Sequence, residues 1–161
     1  MQNNSALHIV SFSIPYPANY GGVIDVFHKI RLLHQAGIQV HLHCFQYDRN
    51  PADILNQYCA SVHYYPRKGG LKALFSSNPY IVESRVSEAL IANLEKDNLP
   101  VLFEGLHCLG NIPKNERRLF YRESNIEHDY YGALAKADRS IWKGIYYRSE
   151  AKKLEAYESR I

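Results

Sequence analysis

The sequence predicts an α/β domain with a mainly parallel sheet, a Rossmann-like three-layer arrangement. Three observations lead there. Short apolar runs alternate with segments of helical apolar spacing along the whole length; one helix-length crossover joins the first two runs; and a Gly-Gly pair opens that crossover. A crossover this short through a helix favours a parallel, right-handed βαβ unit.

Residues 7–14 (LHIVSFSI) read as the first strand, stopped by Pro15 and Pro17, which cannot donate to a sheet ladder. After Asn19, Tyr20, Gly21 and Gly22, the residues Val23, Val26, Phe27, Ile30 and Leu33 recur on one helix face until Gly37 supplies a stop. Residues 38–45 form the second strand and residues 61–65 the third, reached through a helix around 51–58. The spacing of Val82, Val86, Leu90 and Leu94 predicts one helix over 79–96, starting just after Pro79. Residues 99–103 and 119–121 bring the sheet to at least five strands. From Ile126 onward the chain is helical, with Leu134, Ile141, Ile145, Leu154, Tyr157 and Ile161 as an apolar stripe and a break at 138–140. The last helix ends without a glycine cap or polar tail, so a single domain over 1–161, truncated from a longer chain, is expected.

A hydrophobic content of 46% supports one buried core, and a net charge of +3 is too mild to imply a nucleic-acid partner. Cys44, Cys59 and Cys108 form no CxxC pair, and their odd number argues for a reducing cytoplasm rather than a disulfide framework. Residues 1–6 are polar and the apolar run after them stops at Pro15, so neither a signal peptide nor a membrane span is expected. His41 and His43 share a strand face but have no further ligands to nominate, so no metal is expected. Tyrosine, at 13 residues, suits half-buried surfaces and ligand clefts.

Candidate chemistry gathers where strands end. The loop from Pro15 to Gly22 precedes a helix N-terminus, where free N–H groups favour an anion and two glycines let a phosphate or sugar approach, or simply make a tight turn. Glu104 and His107 follow the fourth strand; the imidazole could meet a sugar hydroxyl, transfer a proton, or only bond a loop backbone. Arg122 could contact a ligand or pair with Glu123 or Glu127, and Asn125 could face the cleft, cap the helix beginning at Ile126, or both.

Three motifs, in order, carry a family resemblance: residues 8–45 (HIVSFSIPYPANYGGVIDVFHKIRLLHQAGIQVHLHCF), 101–109 (VLFEGLHCL) and 121–134 (YRESNIEHDYYGAL). Together they resemble the amino-terminal domain of retaining GT-B glycosyltransferases of the family 4 type. The resemblance implies a two-domain enzyme that moves a sugar from a nucleotide-sugar donor to a glycan or lipid-linked acceptor, without a cofactor or catalytic metal. It implies that this half is the acceptor side, and that a missing carboxy-terminal domain of the same chain grips the nucleotide. It would place Gly21 and Gly22 at the donor phosphate or reacting sugar, and Asn19, Glu104, Arg122, Asn125 and Glu127 at the acceptor or cleft, with His107 as the candidate catalytic side chain. Ser124 stands where many relatives have histidine, so that histidine's role does not transfer, and Glu123 stands where a neutral residue is usual.

Two alternatives share these residues: a stand-alone flavodoxin-like nucleotide- or phosphate-binding module, and a protein-interaction domain using the tyrosine-rich terminal helix. In RKGGLKALF, Arg67, Lys68 and Lys72 flank Leu71, Leu74 and Phe75, a pattern suited either to peripheral contact with anionic lipid at the inner face of the membrane or to docking on the domain core.

Overall fold

The computed structural model describes residues 5–161, without the side chains of Leu71 and Lys72. The first four residues of the polar amino-terminal segment therefore lie outside the described residues. Strands β1 (Ala6–Ser11), β2 (Gln39–Gln46), β3 (Ser61–Pro66), β4 (Val101–Glu104) and β5 (Leu119–Arg122) form one sheet in the order β3-β2-β1-β4-β5. Every neighbouring pair is parallel. The order reverses between β1 and β4, so the carboxyl ends of these two strands flank the crevice where open α/β sheets take ligands.

Period-two alternation gives the sheet two apolar faces. On one, Ile9, Val40, Leu42 and Cys44 pack against Val26, Phe27 and Ile30 of α1 (Gly21–Gln35). On the other, Val10, Phe45, Val101 and Phe103 meet Ile81 and Val82 of α2 (Tyr80–Glu83), Leu90 and Leu94 of α3 (Glu88–Leu94), and Leu154 of α5 (Ile141–Glu158). The three layers expected from the alternation are present. Helix α4 (Glu127–Ala137) forms a hairpin with α5.

Two carboxylates of α5 fasten that hairpin to its surroundings. Glu158 accepts from the N–H groups of Glu127 (2.8 Å) and His128 at the start of α4 and also pairs with the His128 ring. Glu150, buried, accepts from the Tyr80 N–H at the start of α2 (2.6 Å) and from Lys153 (2.9 Å). A carboxylate at a helix N-terminus satisfies free donors and opposes the dipole.

Several elements differ from expectation. The strand read over 7–14 ends at Ser11, whose hydroxyl donates to the Ser13 carbonyl at 2.6 Å and turns the chain; Ile14 stays fully buried, which is why it reads as strand. The helix over 79–96 is two short helices interrupted at Ser84–Ser87, where the Ser87 hydroxyl caps α3 and its N–H donates to buried Asn111. The helix around 51–58 is a five-residue 3-10 turn, Asp53–Gln57. The apolar stripe of the last helix is not continuous: Leu154 is buried, whereas Ile141 is 78% exposed and Ile145 and Ile161 face solvent. The segment Leu71–Leu74 is helical, with Phe75 81% exposed; the Leu71 and Lys72 side chains lie outside the described set. Among the described residues no helix is long and apolar enough to cross a membrane.

The histidines of β1 and β2 form a directed hydrogen-bond chain. His8 Nε2 meets the Asp97 carboxylate at 3.1 Å, His8 Nδ1 meets His43 Nε2 at 2.9 Å, His43 Nδ1 meets the Tyr65 hydroxyl at 2.9 Å, and Asn93 Nδ2 donates to that hydroxyl at 2.8 Å. An ionised carboxylate only accepts, so His8 Nε2 carries hydrogen and Nδ1 of the neutral ring accepts. His43 then donates through Nε2, leaving Nδ1 to accept from Tyr65. Every member is satisfied with both rings neutral. Burial first, and then the neighbouring His8, His63 and His41, hold His43 down to about 3.

A depressed histidine contributes stability that is complete above its ordinary value of 6.5 and is lost as pH falls toward about 3. Denaturant titrations of His43→Gln, which keeps a donor and an acceptor but cannot be charged, should therefore lose less stability in acid than the wild type. The difference should grow by about 1 kcal/mol per pH unit below about 6. Parallel profiles would remove His43 as the source.

Candidate functional site

Phe12, the residue after β1, is the hub on which the predicted segments meet. A Cβ on Gly22 would lie 2.9 Å from Phe12 Cζ. The Phe12 and His107 rings are 5.3 Å apart. Gly105 follows β4 with φ 85, a conformation that side chains disfavour, and a Cβ there would approach His107 Nδ1 at 3.3 Å, Phe12 at 3.8 Å and the Ser124 hydroxyl at 3.9 Å. The Gly-Gly loop, the EGLH segment and the start of the third motif thus converge at the reversal between β1 and β4.

His107 lies in the 3-10 turn Leu106–Asn111 rather than on the strand. Its Nδ1 is buried and has no hydrogen-bond partner, so the loop-backbone role considered from sequence is not what holds that atom. Burial, then the charges of Arg85 and Arg67, push its pKa down to about 3, which keeps the ring neutral near pH 7.

Glu104 and Arg122 belong to an ion cluster on the α1 side of the sheet. Glu104, 1% exposed, takes Lys29 on one oxygen and Arg122 Nη1 at 3.1 Å on the other, and Arg122 also pairs with Asp25. The partners of Arg122 are therefore Glu104 and Asp25, not Glu123 or Glu127. Parallel register places Glu104 beside Arg122, and one and two helical turns of α1 bring Asp25 and Lys29 over them.

Asn125 is exposed and does not cap α4, whose preceding residue, Ile126, makes no side-chain cap; Glu158 supplies that acceptor instead. Glu127 is buried, and burial and then the Glu158 carboxylate raise its pKa to about 6, against the opposing pull of Arg85 and a hydrogen bond from Asn125. Asn19 accepts from Arg49, whose guanidinium also donates to the Pro17 carbonyl and lies 4.8 Å over the Tyr20 ring. Both residues line a hollow of about 550 Å³ with Tyr16, Asp48 and Asp53. Gly21 has open space around its missing side chain. Among the described residues no group of three metal-binding side chains is present.

Sequence reasoning passed over Phe12 and Arg85. Arg85 is 6% exposed and donates from Nε to the Phe12 carbonyl (3.0 Å) and from Nη1 to the Ile81 carbonyl (2.8 Å), fixing the hub. The only available signal was an arginine between Val82 and Val86 in an apolar pattern.

The approach that Gly22 permits in this structure is that of Phe12. Gly22→Ala should therefore destabilise the fold by about 1–3 kcal/mol, the usual cost of overpacking. Phe12→Leu in the same chain should recover most of that loss in denaturant melts. A Gly22→Ala variant as stable as wild type would show that the hub has room to spare.

No protein-family profile matches this chain. No solved structure matches it either. A curated relative from Klebsiella pneumoniae, described as an uncharacterized 44.6 kDa protein in the cps region, is 32% identical over 149 residues. The aligned part is 86% of this chain and 38% of the relative, so the chain spans well under half the relative's length.

Proposed function

We propose that the chain is the acceptor-side half of a GT-B glycosyltransferase acting in polysaccharide biosynthesis. The observation that carries the reading is the meeting of the Gly-Gly loop, Gly105–His107 and Ser124 on Phe12 at the sheet's reversal point. A relative encoded in a capsule polysaccharide (cps) region supports the biological setting. The resemblance of the three sequence motifs supplies the reaction class.

In the proposed reaction the bond from the sugar's anomeric carbon to the donor diphosphate breaks, a bond from that carbon to an acceptor hydroxyl oxygen forms, and the hydroxyl proton passes to an oxygen of the departing diphosphate. The first N–H groups of α1 at Gly21 and Gly22 face the diphosphate side, where a helix dipole offsets growing negative charge without a metal. His107 is a weak base because its pKa is held near 3. Its role is to orient the acceptor hydroxyl through a neutral ring nitrogen rather than to remove the proton. Glu104 and Arg122 act at one remove, fixing α1 against β4 and β5.

The intact protein is tested by nucleoside diphosphate release across a panel of nucleotide-sugars with polysaccharide-precursor acceptors. Turnover is expected, and His107→Ala should lower kcat/KM about 10- to 100-fold with an unchanged melting temperature, the scale of a lost orienting contact. A folded intact protein that turns over no donor in the panel would overturn the reading.

The protein-interaction alternative draws on the exposed start of α5, where Ile141 and the 82% exposed Trp142 face solvent. Crosslinking to a stable partner without nucleotide-sugar would favour it.

A further inference from the structure

Two arginines stand on the α2 side of the crevice without an opposite charge. Arg85 is held by its two backbone carbonyl contacts, and no carboxylate pairs with it among the described residues. Its remaining terminal nitrogen takes no protein acceptor among those residues. Arg67 follows β3, donates from Nε to the Ser84 hydroxyl at 3.0 Å, and lies 4.6 Å over the Tyr47 ring and 5.4 Å over the Tyr80 ring. It too lacks a carboxylate partner in the described structure. Ser84 immediately precedes Arg85, and the Lys68 N–H donates to the Ser84 carbonyl at 2.7 Å, so the end of β3 and the break between α2 and α3 are joined at this point.

Burying a guanidinium without a counter-charge costs several kcal/mol, and like charges brought together add to it. Burial and then Arg67 bring Arg85 down to about 10, so it remains a cation at neutral pH. The buried, unpartnered Nδ1 of His107 lies within the field of both arginines. Glu127 is the acid that feels Arg85, yet it forms no ion pair with it; burial raises it to about 6, which leaves it ionised at pH 7.5. Around these groups stand the phenols of Tyr20, Tyr131 and Tyr146, each within electrostatic range of Arg85 or Arg67. Burial raises Tyr131 and Tyr146, so their hydroxyls remain protonated donors.

We infer that Arg67 and Arg85, joined through Ser84 and set beside the unpartnered His107 ring, form a binding site for a phosphoryl dianion. Two uncompensated guanidinium forks match the charge and the several oxygens of a phosphate monoester, which carries about −2 at pH 7; a carboxylate would leave one cation unmatched. The site rests on the glycosyltransferase reading only in assigning the phosphoryl group to the acceptor: it sits beside His107, so the substrate class becomes a phosphorylated sugar or a phosphate-linked lipid carrier.

The probe is inorganic phosphate, titrated into the intact protein at pH 7.5 and constant ionic strength, with chloride and acetate as controls. Phosphate should raise the melting temperature by several degrees along a saturating curve, and chloride and acetate should not. Arg67→Gln, a change at a partly buried side chain outside the apolar core, should weaken the phosphate midpoint at least tenfold while keeping the far-UV circular dichroism spectrum. Arg85→Lys, which keeps the charge but loses the fork, should weaken it as well; if that variant does not fold, Arg67→Gln decides. A phosphate response no larger than that of chloride, or one that survives Arg67→Gln, overturns the site. Sedimentation with phosphatidic acid vesicles separates the sources: pelleting that Arg67→Gln abolishes assigns the phosphoryl group to a lipid headgroup, and a saturating phosphate response without pelleting assigns it to a soluble ester. A phosphate response stands whether or not the protein turns over nucleotide-sugars, so failure of the site and failure of the enzymatic reading are separate results.

Discussion

Glu104 ends β4 almost completely out of water, where an ionised carboxylate costs several kcal/mol unless cations meet it. Lys29 and Arg122 both do, and Asp25 completes the balance from α1. These contacts join the central crossover helix to two strands that follow it by more than sixty residues in sequence. The position of α1 fixes where Gly22 presses on Phe12, and the end of β4 fixes the positive-φ turn at Gly105. The crevice is therefore shaped from beneath by electrostatics on the α1 side, while its opposite wall is shaped by apolar packing and the Arg85 contacts to backbone carbonyls.

Much of the fold was legible because periodicity reports burial directly. The apolar spacing of α1 and the period-two strands were readable, and with them the layered parallel sheet. What periodicity does not report is where hydrogen bonds break an element. Val82 and Val86 keep helical spacing across the Ser84–Ser87 interruption, and Ile14 is buried beyond the end of β1. The exposed Ile141 and Ile145 show the opposite failure: α5 buries Gly144, Glu150 and Leu154, and a buried glutamate reads as surface in a sequence.

The candidate site divided along the same line. The Gly-Gly loop after β1 was legible, and it meets the His107 segment at the reversal point, whereas the positive-φ turn at Gly105 was not singled out. The partners of Arg122 and the acceptor that caps α4 were not, because both come from residues distant in the chain. Phe12 carried no polar signature at all, although it touches both Gly22 and His107. His41 and His43 were legible as sharing a strand face, but their partners were not: His43 joins His8 in a neutral chain running from Asn93 to Asp97, and His41 meets the Ser61 hydroxyl.

The two carboxylate fastenings of α5 bear on how the crevice can change width. Glu158 holds the start of α4 and Glu150 holds the start of α2, so α5 is anchored near both ends of its second half. Sliding that helix along its axis would strip both helix starts of their acceptors at once. Tyr131 of α4 meets Tyr147 of α5 across this hairpin, with ring centroids 5.9 Å apart, and the ring of Tyr146 lies 5.5 Å from that of Tyr147. The start of α2, which walls the crevice, is thus tied through one helix to the start of α4.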